Sequence, residues 1–390
     1  MSTENRWLLP EGIDELLPER AVQLESLRRR LLDQCTTWGY RYVIPPLVEF
    51  TDSLLIGLGA DLDVVTCKFI DQMSGRMLGV RADITPQTAR MDAHSIAEDG
   101  VTRLCYASST LQSTPQAVGS GRAPIQLGAE LYGSDCVEAD AEVITLMLSM
   151  FETAGVKRSL TLDIGHSAIY DALFLDAGLD ADLEAQIFGA LQRKSVPDIE
   201  RLASTLPADI SRKLLSLSAL HGSTSVIVGA RKALGSEPVV VAALDELEAA
   251  LELVRLSYPD VDVYIDLTEL RGFRYHTGLV FAVYLEGRGS AIAKGGRYDN
   301  IGAVFGRDRP ATGFAIDLKA LVDDAERQKT DDLPIIAPQS GDPALREAIA
   351  KLRLAGRVVV IDVPPGVALA EADRLVERRG QWVIERDAAL

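Results

Sequence analysis

Residues 270–281 read LRGFRYHTGLVF, residues 294–306 read KGGRYDNIGAVFG, and residues 310–321 read PATGFAIDLKAL. Strand signals run from Leu279 to Leu285 and from Ala311 to Ile316, and a helix is expected over Asp317 to Arg327. Gly287-Arg288-Gly289, like Gly57-Leu58-Gly59, is a G-x-G fragment without the third glycine that opens a helix, which argues against a dinucleotide fingerprint.

Upstream, Leu24, Leu27, Leu31 and Cys35 recur at helical spacing within Ala21 to Trp38, and Gly39 stands where a left-handed cap would sit. The apolar run Tyr40 to Ile44 ends at Pro45-Pro46. Val64 to Ile70 and Arg76 to Arg81 predict a hairpin around Ser74-Gly75, and Thr85-Pro86 opens a helix into Ala93. Leu104 to Ala107 and Ile125 to Leu131 are further strands, as is Val261 to Leu267. From about 171 to 257 helical spacing replaces alternation, as in Leu244, Leu247, Leu251 and Val254, which predicts a helical insertion. A polar linker from Gln328 to Asp332 ends at Pro334. The remainder is expected as a small α/β unit: strand Ile335 to Ala337, helix Pro343 to Ala355, strand Arg357 to Asp362, helix Ala368 to Arg379, strand Gln381 to Ile384.

With 390 residues, 47% hydrophobic and 25% charged, the chain can bury a sizeable core. Cys35, Cys67, Cys105 and Cys136 are scattered, and His94, His166, His221 and His276 show no metal-ligand spacing, so neither a disulfide framework nor a zinc set is expected. No G-x-S-x-G elbow offers a serine nucleophile. A formal charge of −17 disfavours a broad grip on nucleic acid, because that affinity comes from cations displacing counterions. The N-terminus lacks a signal-peptide pattern, and no window approaches the roughly 18 apolar residues of a membrane span. The expectation is a cytoplasmic protein.

The three quoted stretches resemble the two histidine-specific signatures and the third motif of histidyl-tRNA synthetases. Further matches are Pro46-Leu47-Val48-Glu49, Arg81 to Thr85 (RADIT) and Gln126 to Gly133 (QLGAELYG), all in family order across about residues 8 to 325. The resemblance implies an α+β fold of the class II aminoacyl-tRNA synthetase type: an antiparallel sheet flanked by helices, with a motif 1 dimer interface and a histidine pocket on the sheet face. The expected organisation is a core over 1–328 with the insertion at about 171–257, and a C-terminal α/β domain over 333–390 resembling a truncated anticodon-binding domain.

A zwitterionic ligand needs a carboxylate for its ammonium, a cation for its carboxylate and polar partners for its ring nitrogens. By resemblance, Asp83, Thr85 and Gln126 hold the amino group, Arg271 the carboxylate, and Glu130 with His276 the imidazole, while Tyr275 and Tyr298 line the site. Asp83 is one methylene shorter than the family's Glu, and His276 stands where the family has Tyr. The plainer alternative is that Glu130 and Arg271 form a buried structural ion pair.

Amino-acid activation also needs positive charge on ATP, which synthetases supply with one arginine in motif 2 and one in motif 3. Aligning residues 103–116 places Gln112 at the first position, and GFAIDLKA at 313–320 places Ala320 at the second, with Asp317 at a glycine position. An added carboxylate there would repel a triphosphate. The tail from Asp342 to Asp387 carries eight basic and eight acidic residues, a poor match for an anticodon.

A core with an amino-acid pocket but without ATP and tRNA handling resembles the regulatory subunit family of ATP phosphoribosyltransferase. The resemblance implies no catalytic residues, no metal or other cofactor in this chain, and magnesium in the partner alone. The implied partners are the short-form catalytic subunit, a second copy of this chain, and L-histidine as feedback effector in the first step of histidine biosynthesis, with neither nucleic acid nor membrane. Three other readings stay open: a histidyl-tRNA synthetase in which Arg122 or Lys319 replaces the aligned arginines, another ATP-dependent acylating enzyme, and a histidine-sensing module for a different partner.

Overall fold

The computed structural model describes residues 7–55, 59–115, 121–174, 178–268, 276–327, 333–364, 366 and 371–386. The chain divides into two compact units, Met1–Glu326 and Arg327–Leu390.

In the first unit the strands are β1 (Arg41–Tyr42), β2 (Val48–Phe50), β3 (Cys67–Ile70), β4 (Met77–Val80), β5 (Thr102–Ser109), β6 (Ile125–Tyr132), β7 (Leu160–His166), β8 (His221–Gly222), β9 (Asp262–Asp266), β10 (Leu279–Leu285), β11 (Ala293–Arg297) and β12 (Ala311–Asp317). Nine of them form one sheet in the order β1-β5-β6-β12-β11-β10-β7-β9-β8, and β2-β4-β3 form a second. The large sheet is antiparallel except at the β1–β5 and β7–β9 pairs, so it is mixed.

Side chains alternate across a strand, so each face of this sheet has its own composition. One face carries Cys105, Leu127, Ala129, Phe281, Val283, Phe314 and Ile316. They belong to a continuous core with Leu24, Leu27, Leu31 and Cys35 of the helix Pro18–Thr37, with the helix Val137–Ala154, and with Leu244, Leu247, Leu251 and Val254 of Pro238–Ser257. Each large side chain fully buried here contributes about 1.5–3 kcal/mol. The other face presents Tyr106, Gln126, Gly128, Glu130, Gly296 and Gly313, and this polar, glycine-rich surface carries the candidate pocket.

The expected first helix is present, and Gly39 adopts φ +82° just beyond its end. The hairpin β3–β4 forms around Ser74-Gly75, but β3 starts only at Cys67 because Gly59–Val65 is helical. Thr85–Arg90 is helical and widens into a π-turn over Met91–Ile96. Among the described residues between β7 and β9, every regular element except β8 is a helix.

The helix expected over Asp317 to Arg327 shrinks to Leu318–Leu321. Beyond it, Asp324 pairs with Arg158 at 2.8 Å and with Arg288 at 2.5 Å, and the Glu326 N–H donates to the Ala154 carbonyl at 2.8 Å. Val322 and Ala325 still donate to the carbonyls four residues back, but Asp324 bonds only three back, to Leu321, and with Glu326 the N–H turns to a tertiary partner. Ala293–Arg297, of which residues 294–297 open the quoted stretch and are not among the expected strands, form β11 in the middle of the sheet.

The second unit has β13 (Ile335–Ala337), β14 (Val359–Ile361), β15 (Asp373–Arg378) and β16 (Gln381–Glu385) in the order β14-β13-β15-β16. Leu345 and Ile349 of the helix Pro343–Leu354 pack on Ile335, Ala337, Val359 and Leu375. The expectation of a helix over Ala368 to Arg379 is overturned by β15. Asp373 and Leu375 are buried while Arg374 and Glu377 are exposed, and Arg379 and Gly380 both take positive φ (54° and 77°) as the two-residue turn into β16.

Candidate functional site

Glu130 lies on β6 directly across from Gly313 of β12, and Gly313 in turn faces Gly296 of β11. Partners across a ladder point to the same face, so these positions share one floor. A Cβ at Gly313 would lie 1.6 Å from Glu130 Oε2, and one at Gly296 would lie 2.8 Å from His276 Cδ2. The two glycines therefore make the room in which the Glu130 carboxyl and the His276 ring sit side by side.

The Glu130 carboxyl is 1% exposed and is held by three hydroxyls. Thr85 Oγ1 donates to Oε1 at 3.0 Å, Tyr106 OH donates to Oε1 at 2.9 Å, and Tyr298 OH donates to Oε2. Burial pushes Glu130 up to about 8, against the pull of the Tyr298, Tyr106 and Thr85 hydroxyls and with reinforcement from the Asp83 carboxylate. Burial raises Tyr106 and Tyr298 well above the ordinary phenol value, so both remain donors.

A second cluster adjoins the first. Gln126 lies four residues before Glu130 on the same face of β6, and its Nε2 donates to Asp83 Oδ1 at 2.8 Å. The Ile84 N–H donates to Gln126 Oε1 at 3.0 Å and the Thr85 N–H to Asp83 Oδ1 at 3.1 Å. The turn at Asp83–Thr85 is thereby locked onto β6, and Thr85 links the two clusters. Asp83, Thr85, Gln126, Glu130, His276 and Tyr298 are thus gathered on one sheet face, whereas Arg271 and Tyr275 lie outside the described residues. The sequence reading missed Tyr106, whose signal was its register opposite Gly128: a Cβ there would lie 2.4 Å from the Tyr106 hydroxyl.

The aligned nucleotide positions have a different character. Gln112 is 6% exposed and bridges to Thr66. Arg122 Nε donates to the Gln112 carbonyl at 2.9 Å and Nη1 to the Glu11 carbonyl at 3.2 Å. Asp317 caps the short helix after β12 by accepting the Lys319 N–H at 2.9 Å, and burial raises its carboxyl. Lys319 Nζ pairs with Asp14 at 2.7 Å, and the Ala320 carbonyl accepts from Arg288 at 2.9 Å. Both cations that could replace the aligned arginines are therefore engaged with protein groups.

Residues 12–321 match the histidyl-tRNA synthetase family, and residues 332–385 match the ATP phosphoribosyltransferase subunit HisZ C-terminal domain. The ATP phosphoribosyltransferase regulatory subunit of Thioalkalivibrio sulfidiphilus is 49% identical, covering 98% of this chain and 99% of its own length. That of Marinobacter nauticus is 46% identical over 99% of each. Among solved structures, an ATP phosphoribosyltransferase regulatory subunit/histidyl-tRNA synthetase from Bacillus halodurans superposes with a TM-score of 0.82 at 27% identity, over 94% of this chain and 95% of that one. A histidyl-tRNA synthetase from Nostoc sp. PCC 7120, 17% identical with a TM-score of 0.73 over 92% and 86%, shares the fold. With near-complete coverage at almost half identity, and a C-terminal unit matching the subunit's own domain, the chain belongs to the ATP phosphoribosyltransferase regulatory subunit family.

Proposed function

We propose that this chain is a non-catalytic regulatory subunit that activates the short-form catalytic subunit of ATP phosphoribosyltransferase and carries L-histidine as its feedback inhibitor. The observation behind this reading is the pair of neighbouring carboxyls on one sheet face, Glu130 held by three hydroxyls and Asp83 by the Gln126 amide and the Thr85 N–H, together with Gln112, Asp317 and Ala320 at the aligned nucleotide positions.

In this reading Asp83, Thr85 and Gln126 take the ligand's ammonium, Glu130 and His276 its imidazole, and Arg271 its carboxylate, with Tyr275 and Tyr298 as walls. The loss of both ATP-holding arginines leaves the chain without aminoacylation chemistry. Phosphoribosyl transfer and its magnesium belong to the partner, and this chain uses no metal or other cofactor. Histidine binding biases the assembly towards a less active state, and substrates that favour the active state weaken histidine binding by the same factor.

The same reading gives the chain a second copy of itself as partner. Ile44 and Leu47 beside β2, Phe69 and Ile70 of β3, and Met73 and Met77 at the β3–β4 hairpin are exposed apolar residues of neighbouring sequence segments, consistent with a covered interface. No helix among the described residues is long and apolar enough to cross a membrane, and the working compartment proposed is the cytoplasm. The C-terminal unit is proposed to be a truncated relative of an anticodon-binding domain, released from tRNA recognition.

The test is calorimetric titration of the full chain with L-histidine, followed by the same titration of Arg271→Ala. Binding that the variant loses supports the pocket; unchanged affinity would remove Arg271 from it.

A further inference from the structure

Tyr106 lies outside the set of ligand contacts described above, yet it is fully buried against the centre of the pocket. Its hydroxyl reaches both Glu130 Oε1, at 2.9 Å, and Thr85 Oγ1, at 3.3 Å. Neither contact is incidental packing. Gly128, its partner across the β5–β6 ladder, has no side chain, and a Cβ there would lie 2.4 Å from the Tyr106 hydroxyl and 2.6 Å from the Phe314 carbonyl. Gly313 makes the matching space for the Glu130 carboxyl. Two glycines on adjacent strands thus hold open the volume that one tyrosine hydroxyl and one carboxyl share.

An ionised carboxylate offers about four acceptor directions. Thr85 and Tyr106 occupy both on Oε1, and Tyr298 occupies one on Oε2. We propose that Tyr106 is a positioning residue of the effector pocket: seated in the space left by Gly128, it joins Thr85 in saturating Glu130 Oε1, so that Oε2 alone is turned to accept a ring N–H of the ligand. The proposal rests on the effector reading and adds to it the group that fixes the orientation and charge of the imidazole acceptor.

The titratable groups around Glu130 work in opposite directions, and the His276 ring stands on the same floor in the space left by Gly296. Asp83, from the turn ahead of the helix Thr85–Arg90, opposes its ionisation, while Tyr106 from β5 and Tyr298 from the end of β11 support it together with the Thr85 hydroxyl. Tyr132, further along β6, is buried and raised beside it and stays neutral. Burial is the largest influence on Glu130. Removing one hydroxyl donor therefore moves Glu130 further towards its neutral form at neutral pH.

The experiment is calorimetric titration of the full chain with L-histidine between pH 6 and pH 9, for the wild type, Tyr106→Phe, Gly128→Ala and Tyr40→Phe. Tyr40 is the control. It too is a buried tyrosine bonded to a carboxylate, Glu142 at 3.1 Å, but on the core side of the sheet. Tyr106→Phe is expected to weaken histidine binding about tenfold at pH 7, the size of one hydrogen bond to a charged group. It is also expected to move the midpoint of the pH dependence upward, with affinity largely recovered at pH 9. Gly128→Ala, which displaces the hydroxyl without deleting it but also crowds the Phe314 carbonyl, is expected to shift the midpoint the same way; Tyr106→Phe, which adds no atom, carries the test if Gly128→Ala does not fold. Tyr40→Phe keeps the wild-type profile. A Tyr106→Phe curve that superposes on the wild type, or a loss of equal size at every pH, overturns the positioning role. Wild-type chain that binds no histidine at any pH overturns the effector reading itself, and this role with it.

Discussion

Gly313 and Glu130 face each other across the β6–β12 ladder so closely that a Cβ on Gly313 would lie 1.6 Å from Glu130 Oε2 and 2.8 Å from the Ala129 carbonyl. The carboxyl is enclosed and the carbonyl is backbone, so neither moves aside without cost. Gly313→Ala is therefore expected to destabilise the first unit by about 1–3 kcal/mol through overpacking and to weaken histidine binding strongly. Denaturant unfolding checks the first part and calorimetry the second; a variant with wild-type affinity would show that the Glu130 carboxyl is free to relocate.

The raised pKa of Glu130 makes a prediction about stability against pH. Its folded value of about 8 lies above the ordinary carboxyl value, so the native state holds the proton more tightly than the unfolded chain. That contribution is fully present below about pH 4 and is lost as pH rises to 8. Glu130→Gln has no such proton. Relative to the variant, the wild type is expected to lose stability with a limiting slope of about 1.4 kcal/mol per pH unit across that window. Parallel stability curves for the two proteins between pH 5 and pH 9 would contradict the assigned burial.

Arg297, in the stretch KGGRYDN, does its work behind the pocket. It is nearly buried, pairs with Asp140 at 2.8 Å and Asp299 at 3.1 Å, and also donates to the Ser134 and Cys136 carbonyls. Arg297→Met leaves Asp140 buried and unpaired, so a loss of about 3–5 kcal/mol is expected in thermal or denaturant unfolding. A loss below about 1 kcal/mol would mean that water reaches Asp140 in the native state.

The nucleotide positions predict a negative result. With Arg122 committed to two backbone carbonyls and Lys319 to Asp14, histidine-dependent exchange of pyrophosphate into ATP is expected to stay at background. Exchange above background would return the chain to the synthetases.

Most of this candidate site was named through the family resemblance, whose motifs are short contiguous stretches of sequence. Gln126 and Glu130 are four apart on β6, which puts them on one face, and Asp83 and Thr85 flank a helix start beside it. Tyr106 was hidden because its role depends on register: nothing in the linear sequence places it opposite Gly128. The C-terminal helix expected up to Arg379 failed for a related reason. The buried Asp373 and Leu375 alternate with exposed Arg374 in a strand only six residues long, and the turn at Arg379-Gly380 exists only because β16 pairs back. The end of the helix after β12 was lost to tertiary partners, Arg158, Arg288 and the Ala154 carbonyl, that local propensity cannot register.

The most direct measurement is the rate of phosphoribosyl transfer by the short-form catalytic subunit from the same organism, alone, with this chain, and with this chain plus L-histidine. Activation by the wild-type chain that histidine reverses, with activation retained but reversal lost in Arg271→Ala, is the predicted result. A catalytic subunit whose rate is the same with and without this chain would contradict the regulatory role.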